Sequence, residues 1–225
     1  MMVRVSGRHT LESLAADAVA LGRGRPRAVL GVAGSPGAGK STLVAALLTR
    51  IGERCGAGWA AHVPMDGFHL ADAQLRRLGL LDRKGAPETF DPVGYAHLLE
   101  RVRTETGIDV YAPGFDRALE QPLAGALVVP PTARLVITEG NYLLLDEPDW
   151  ARARRAMDEV WFVAADEDTR LGRLVARHVE FGKSAAQALA WVTEVDGRNA
   201  ARVSATAGAA DRVILNGASG WAISA

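Results

Sequence analysis

Residues 28–44, Ala-Val-Leu-Gly-Val-Ala-Gly-Ser-Pro-Gly-Ala-Gly-Lys-Ser-Thr-Leu-Val, constrain this chain more than any other stretch. Ala28 to Ala33 is short, apolar, partly β-branched and followed by glycine, so it reads as a buried strand. Gly34, four residues, Gly39, Lys40 and Ser41 follow at the spacing of a phosphate-binding loop. Glycines let successive N–H groups point into one hollow that phosphate oxygens fill. Lys40 has the reach for β- and γ-phosphates, and a hydroxyl at Ser41 is placed for Mg²⁺. Thr42 to Arg50 has a helical period and aims its positive N-terminal end at the same anion. The residues expected to hold nucleotide are therefore Gly34, Ser35, Pro36, Gly37, Ala38, Gly39, Lys40, Ser41 and Thr42.

Bulk properties exclude several other classes. Lys+Arg and Asp+Glu both number 26, so no net charge argues for nucleic-acid or membrane binding. One cysteine, Cys55, builds neither a disulfide framework nor a thiolate metal cluster, and reads as an inert helix-end residue. Met1 to Thr10 lacks the apolar core of a signal peptide, and no apolar run approaches the roughly 18 residues of a membrane span. A cytoplasmic location is expected. Only three lysines occur: Lys40, Lys84 in an Arg83-Lys84-Gly85 turn, and Lys183 after a basic helix. None has Asp two places on, so the base-reading signature of a regulatory GTPase is missing.

Strand and helix patterns alternate along the chain, predicting an α/β fold with a mainly parallel sheet covered on both faces. A leading helix is expected over Leu11 to Leu21, a turn over Gly52 to Gly58 and a strand over Trp59 to Pro64. Further strands are expected at Ile108 to Tyr111, Ala126 to Val129, Arg134 to Thr138, Glu159 to Ala164 and, last, Asp211 to Leu215. Asp91-Pro92 opens a helix to about Thr106, and Asp168 to Ala201 is helical with a break near Gly182. The expected organisation is one domain over 1–225. Within it, about 75–130 forms an excursion toward an acceptor, and about 168–200 forms a lid and following helix.

Ligands in such sheets sit beyond the carboxyl ends of the strands. That rule gathers Lys40, Asp66, Asp116 and Glu139 on one rim. Together they suit phosphoryl transfer, which needs alignment, charge neutralisation and a proton acceptor. Asp66 is the candidate base, and Glu139 stands where an acid holds Mg²⁺ through water. Arg170, Arg173 and Arg177 share one helix face, which suits either a solvated surface or a lid bringing guanidinium groups to the transferring phosphate. Tyr111, Phe115 and Tyr142 are candidates for lining a substrate pocket, while the tryptophans at 59, 150, 161, 191 and 221 read as core.

Five motifs in order resemble one superfamily: Gly-Ser-Pro-Gly-Ala-Gly-Lys-Ser-Thr, Met-Asp-Gly-Phe-His-Leu, Arg-Lys-Gly-Ala-Pro-Glu-Thr-Phe-Asp, Tyr-Ala-Pro-Gly-Phe-Asp-Arg and Glu-Gly-Asn-Tyr-Leu-Leu-Leu. They look like those of uridine kinases, phosphoribulokinases and bacterial pantothenate kinases, over about residues 27 to 215. Within these, the chain most resembles the branch called nucleoside/nucleotide kinase or fructose-transport-system kinase. The resemblance implies the three-layer P-loop fold with a helical lid, ATP and Mg²⁺, Asp66 as catalytic acid-base, Glu139 as the metal acid with Ser41, and Arg173 and Arg177 as lid groups. It also implies that His69, Arg83, Lys84 and the loop from Tyr111 through Asp116 to Arg117 face the acceptor, and that Asp211 to Asn216 flank adenine. The expected partner is a small-molecule acceptor such as a nucleoside, a sugar or a pantothenate-like molecule, with no nucleic acid or membrane; a homodimer is one assembly open to it. The rival reading is an NTPase that drives a protein partner as a switch or chaperone.

Overall fold

The computed structural model describes residues 11–180, 182, 184–192, 197–217 and 220–223. Lys183 and Met1 to Thr10 lie outside them. Strand β1 (Ala28–Ala33) is buried at every residue, as a run without polar alternation requires when both sheet faces are covered. It pairs in parallel with β5 (Leu135–Gly140) on one side and β6 (Glu159–Ala164) on the other. Strand β2 (Ala60–His62) adds to β5, and β7 (Arg212–Gly217) adds to β6, both parallel. A last strand, β8 (Gly220–Ile223), returns antiparallel on β7, giving the order β2-β5-β1-β6-β7-β8.

Helices cover both faces. Helix α1 (Leu11–Arg23) and α2 (Lys40–Cys55) bury Leu14, Leu43 and Leu47 against Leu30, Ile137 and Trp161. On the opposite face α4 (Pro92–Thr104) and α5 (Pro148–Arg155) bury Tyr95, Leu99 and Trp150 against Val29, Val136 and Phe162. Between α2 and α4 in sequence comes a short helix, α3 (Asp72–Leu78). After β6 the chain forms α6 (Glu167–Glu180), α7 (Ala185–Trp191) and α8 (Gly197–Ser204) before β7. Asp91 caps α4 as its sequence signals, its carboxylate accepting from the Gly94 amide at 2.8 Å, with Pro92 at the first position.

Several expectations need correction. The Gly52–Gly58 stretch is helical as far as Cys55, because the apolar stripe Leu43, Leu47, Ile51 continues to pack and overrides one glycine. The strands expected near 108–111 and 126–129 are longer, β3 (Val110–Asp116) and β4 (Gln121–Val129), and pair antiparallel in a separate two-stranded sheet. Asp116 therefore ends a hairpin strand instead of standing on the parallel rim. Trp150 and Trp161 are core, whereas Trp59, Trp191 and Trp221 are only partly buried. Among the described residues no helix is long and apolar enough to cross a membrane.

A buried guanidinium ties the layers together below the sheet. Arg27 is 2% exposed. It donates to the carbonyls of Ala133 (2.8 Å), Val102 (2.9 Å), Pro130 (2.9 Å) and Glu105 (3.2 Å). Arg27→Met keeps the length and removes the donors, leaving several carbonyls dry. It should cost about 3 kcal/mol, which for a chain of this size lowers Tm by roughly 6–12 °C in a thermal melt followed by circular dichroism.

Candidate functional site

The phosphate loop joins the end of β1 to the start of α2. Gly39 has a left-handed backbone (φ 98°), and a Cβ there would stand 2.3 Å from the Asn216 side-chain amide, so only glycine fits. Lys40 opens α2 and folds back over the loop. Its Nζ donates to the carbonyls of Gly34 (2.9 Å) and Ser35 (3.2 Å) and to Asn141 Oδ1 (2.7 Å). Burial pushes this ammonium down to about 8; Glu139 and Asp66 pull the other way, and Arg177 adds to the fall. Asn141 was not among the residues singled out, although it directly follows Glu139-Gly140 at the end of β5.

Beside the loop, Ser41 Oγ donates to Glu139 Oε2 at 2.9 Å. Burial would raise the Glu139 carboxyl, but His62, Ser41 and Lys40 outweigh it and hold it below the usual range. His62 lies on β2 with Nε2 3.4 Å from Glu139 Oε1, a contact no sequence motif signalled. A hydroxyl and a carboxylate so close are hard oxygen donors that suit Mg²⁺. Among the described residues no group of three or more His, Cys, Asp or Glu side chains could hold a metal ion, so a cation here would take its remaining ligands from phosphate and water.

Asp66 sits in a 3-10 turn, Met65–Phe68, after β2. A Cβ on Gly67 would be 2.3 Å from the Pro113 carbonyl, so the missing side chain lets the hairpin backbone lie directly on this turn. That contact brings Arg117 Nη2 to 3.6 Å from Asp66 Oδ2. His69 Nδ1 is 2.8 Å from the Asp66 carbonyl, and its ring packs against those of Phe90 and Phe115, with centres 3.9 Å and 4.8 Å away. Burial is the main cause that lowers the affinity of this imidazole for a proton. Lys84 Nζ lies 5.7 Å from the Phe115 ring centre, donates to Asp72 Oδ1 at 2.7 Å and also bonds the Glu120 carbonyl. Arg83 pairs with Glu88.

Other candidates take structural positions. Tyr142 is fully buried and its hydroxyl donates to the Gly85 carbonyl, so it braces the Arg83–Gly85 turn from behind and offers no surface to a ligand. Asp116 Oδ1 accepts from the amides of Ala118 (2.8 Å) and Leu119 (2.9 Å), closing the hairpin turn. Tyr111 is 61% exposed on the hairpin, opposite Val128. Ser35 turns away from the hollow, its Oγ 2.9 Å from Ser204 Oγ and 3.3 Å from the Ala200 carbonyl. The arginine stripe splits. Arg170 is 7% exposed and leans on the loop from behind, with Nη1 3.4 Å from the Pro36 carbonyl. Arg173 and Arg177 stay exposed, and Arg173 Nη1 would lie 3.6 Å from a Cβ on Gly39. Pro36 and Ala38 are buried in the loop wall, and Thr42 is exposed on the first turn of α2.

A phosphate-binding loop at the tip of a central parallel strand, with an acid on the neighbouring strand and helices on both faces, defines a P-loop nucleotide-binding fold. No protein-family model matches the chain. It is 35% identical over 174 residues to a Schizosaccharomyces pombe protein provisionally named a uridine kinase, covering 76% of this chain and 74% of that one. To YggC of Escherichia coli K12, which is uncharacterized, it is 36% identical over 177 residues, 79% of this chain and 73% of that protein. A crystal structure from Silicibacter sp. TM1040, provisionally named a fructose transport system kinase, superposes with a TM-score of 0.79 at 37% identity over 88% of this chain and 95% of that one. The chain belongs to the family of uridine-kinase-like P-loop kinases that contains these proteins.

Proposed function

We propose that the protein is an ATP-dependent kinase that moves the γ-phosphate of ATP to a hydroxyl of a small metabolite. The observation that carries the reading is the convergence of Lys40, the Ser41–Glu139 pair and Asp66: the Lys40 ammonium feels the charge of both acids. Asp66 lies on the hairpin side of the loop, where it accepts the proton of the attacking hydroxyl and aligns its oxygen. Lys40, poised over the loop, exchanges its two carbonyl partners for phosphate oxygens, while Asn141 keeps its third. Ser41 and Glu139 are the residues that would hold Mg²⁺, which would neutralise charge on the phosphates. Arg173 and Arg177 approach from α6 as lid groups, and Asn216, against Gly39, lies where adenine is flanked.

A bare NTPase needs no acceptor surface, and the His69–Phe115–Lys84 cluster beside Asp66 supports the kinase reading over that rival. Coupled ADP release with ATP and Mg²⁺ against nucleosides, free sugars and pantothenate tests it. Strong stimulation by one acceptor supports the reading, and slow release unchanged by every acceptor sinks it. Arg173→Ala combined with Arg177→Ala should lower kcat by roughly 10²-fold if these groups meet the transferring phosphate. An unchanged kcat would leave them as a solvated face.

A further inference from the structure

His62 touches the acid of the cation site but takes no part in the chemistry proposed for it. It registers with Ile137 in the parallel pairing of β2 with β5. Side chains two apart on a strand share a face, so Glu139 lies on the Ile137 side of β5, and His62 lies there with them. Ile137 packs against Leu43 and Leu47 of α2, so the same side carries Ser41, whose hydroxyl donates to Glu139 Oε2 at 2.9 Å. The other carboxylate oxygen, Oε1, is 3.4 Å from His62 Nε2. This nitrogen is buried, and among the described residues it has no hydrogen-bond partner, so the contact stops short of a bond. A buried polar atom left without a partner costs stability. A small turn of the Glu139 carboxylate brings Oε1 onto it and removes that cost. Mg²⁺ takes oxygen ligands, so the imidazole serves the acid rather than the ion. A carboxylate has several acceptor sites, so bonds from Ser41 and His62 leave others on Glu139 for water around a cation.

We infer that His62 is a positioning residue for the cation site: its Nε2–H donates to Glu139 Oε1 and, with Ser41 on the other oxygen, keeps the carboxylate turned toward the cation. The inference rests on the reading that Ser41 and Glu139 serve Mg²⁺, and one set of titrations separates the two. Calorimetry measures the affinity for an ATP analogue with a methylene group between its β- and γ-phosphorus atoms, once with Mn²⁺ standing in for Mg²⁺ and once with EDTA. The ratio of the two affinities is the gain that the cation brings. His62→Phe keeps a ring on the strand and removes the donor, and the gain should fall by about tenfold, a usual loss when the residue that orients a metal ligand is removed. His62→Leu, smaller and also without a donor, should behave alike. His62→Gln, whose amide nitrogen reaches about as far as Nε2, should keep most of the gain. Glu139→Ala should lose it, and adding His62→Phe to that variant should cost nothing more, because the partner is already gone. An unchanged gain in folded His62→Phe or His62→Leu protein overturns the inference and leaves the cation reading standing. A fall that His62→Gln shares in full does the same, since it makes the imidazole a packing group only. A natural gain retained in Glu139→Ala removes that acid from the cation site, and the inference falls with it.

Discussion

Replacing Asp66 with asparagine is expected to lower kcat by roughly 10²- to 10⁴-fold, the range of a lost general base, while ATP binding stays close to normal. The amide keeps the shape of the turn and its contact with Arg117 but cannot take a proton. Nothing else beside it is well suited to the task. A neighbouring titratable ring, His69, is turned so that Nδ1 meets the Asp66 backbone carbonyl, and it packs against Phe90 and Phe115. The other acids of this region are engaged: Asp72 with Lys84, Glu88 with Arg83, and one oxygen of Asp116 with the hairpin turn. Acceptor-stimulated ADP release, with ATP affinity measured separately by titration calorimetry, separates the two effects. Near-normal turnover in Asp66→Asn would remove the residue from the chemistry.

Local signals were legible in the sequence, and long-range ones were not. Strands β1 and β6 have the bounds expected from sequence, an apolar run in β1 and one opened by Glu159 in β6, and Asp91-Pro92 caps α4, because each depends on a few adjacent residues. The loop is likewise local: the spacing from Gly34 to Ser41 sets it. The placement of Asp116 failed because a strand's period does not say which sheet it joins; β3 pairs with β4 in a separate hairpin. Tyr142 was misplaced for a related reason. Its position next to the site is visible in the sequence, but the direction of its side chain depends on packing against Phe90 and Trp150. Arg170 and Arg173 share a helix face, yet one is buried against Pro36 and the other exposed, because the loop of residues 34–39 covers only part of that face. The His62 contact with Glu139 joins two strands 77 positions apart and left no motif to read.

Lys40→Ala is expected to lower kcat/KM for ATP by roughly 10²- to 10³-fold, in line with the loss of one preorganised donor to a transition-state charge. The partners of Nζ explain why no neighbour substitutes: two loop carbonyls and Asn141 Oδ1 are acceptors, and without the ammonium they turn electron density toward the phosphate. The same residue predicts a pH dependence. In the free protein burial brings Lys40 to about 8 from an ordinary 10.5, so the charged form is present below pH 8 and lost above it. Bound phosphate favours the charged form and raises that value. ATP affinity should therefore fall as pH rises past 8, by at most about tenfold per unit, and binding near pH 9 should take up a proton, read by calorimetry in buffers of different ionisation enthalpy. Lys40→Arg stays charged throughout and should lose this dependence even if its rigid fork fits the loop poorly. Stability moves the opposite way. Because the unfolded chain binds the Lys40 proton more tightly, the cost of burying the charge is fully present below pH 8 and fades between about 8 and 10.5, so this residue's contribution makes the free protein more stable as pH rises through that window. A loop that holds its ammonium at a cost in the free state and regains it on phosphate binding is organised for ligand rather than for folding, and a Lys40→Met protein that melts no lower than the natural one at pH 7 would show it directly.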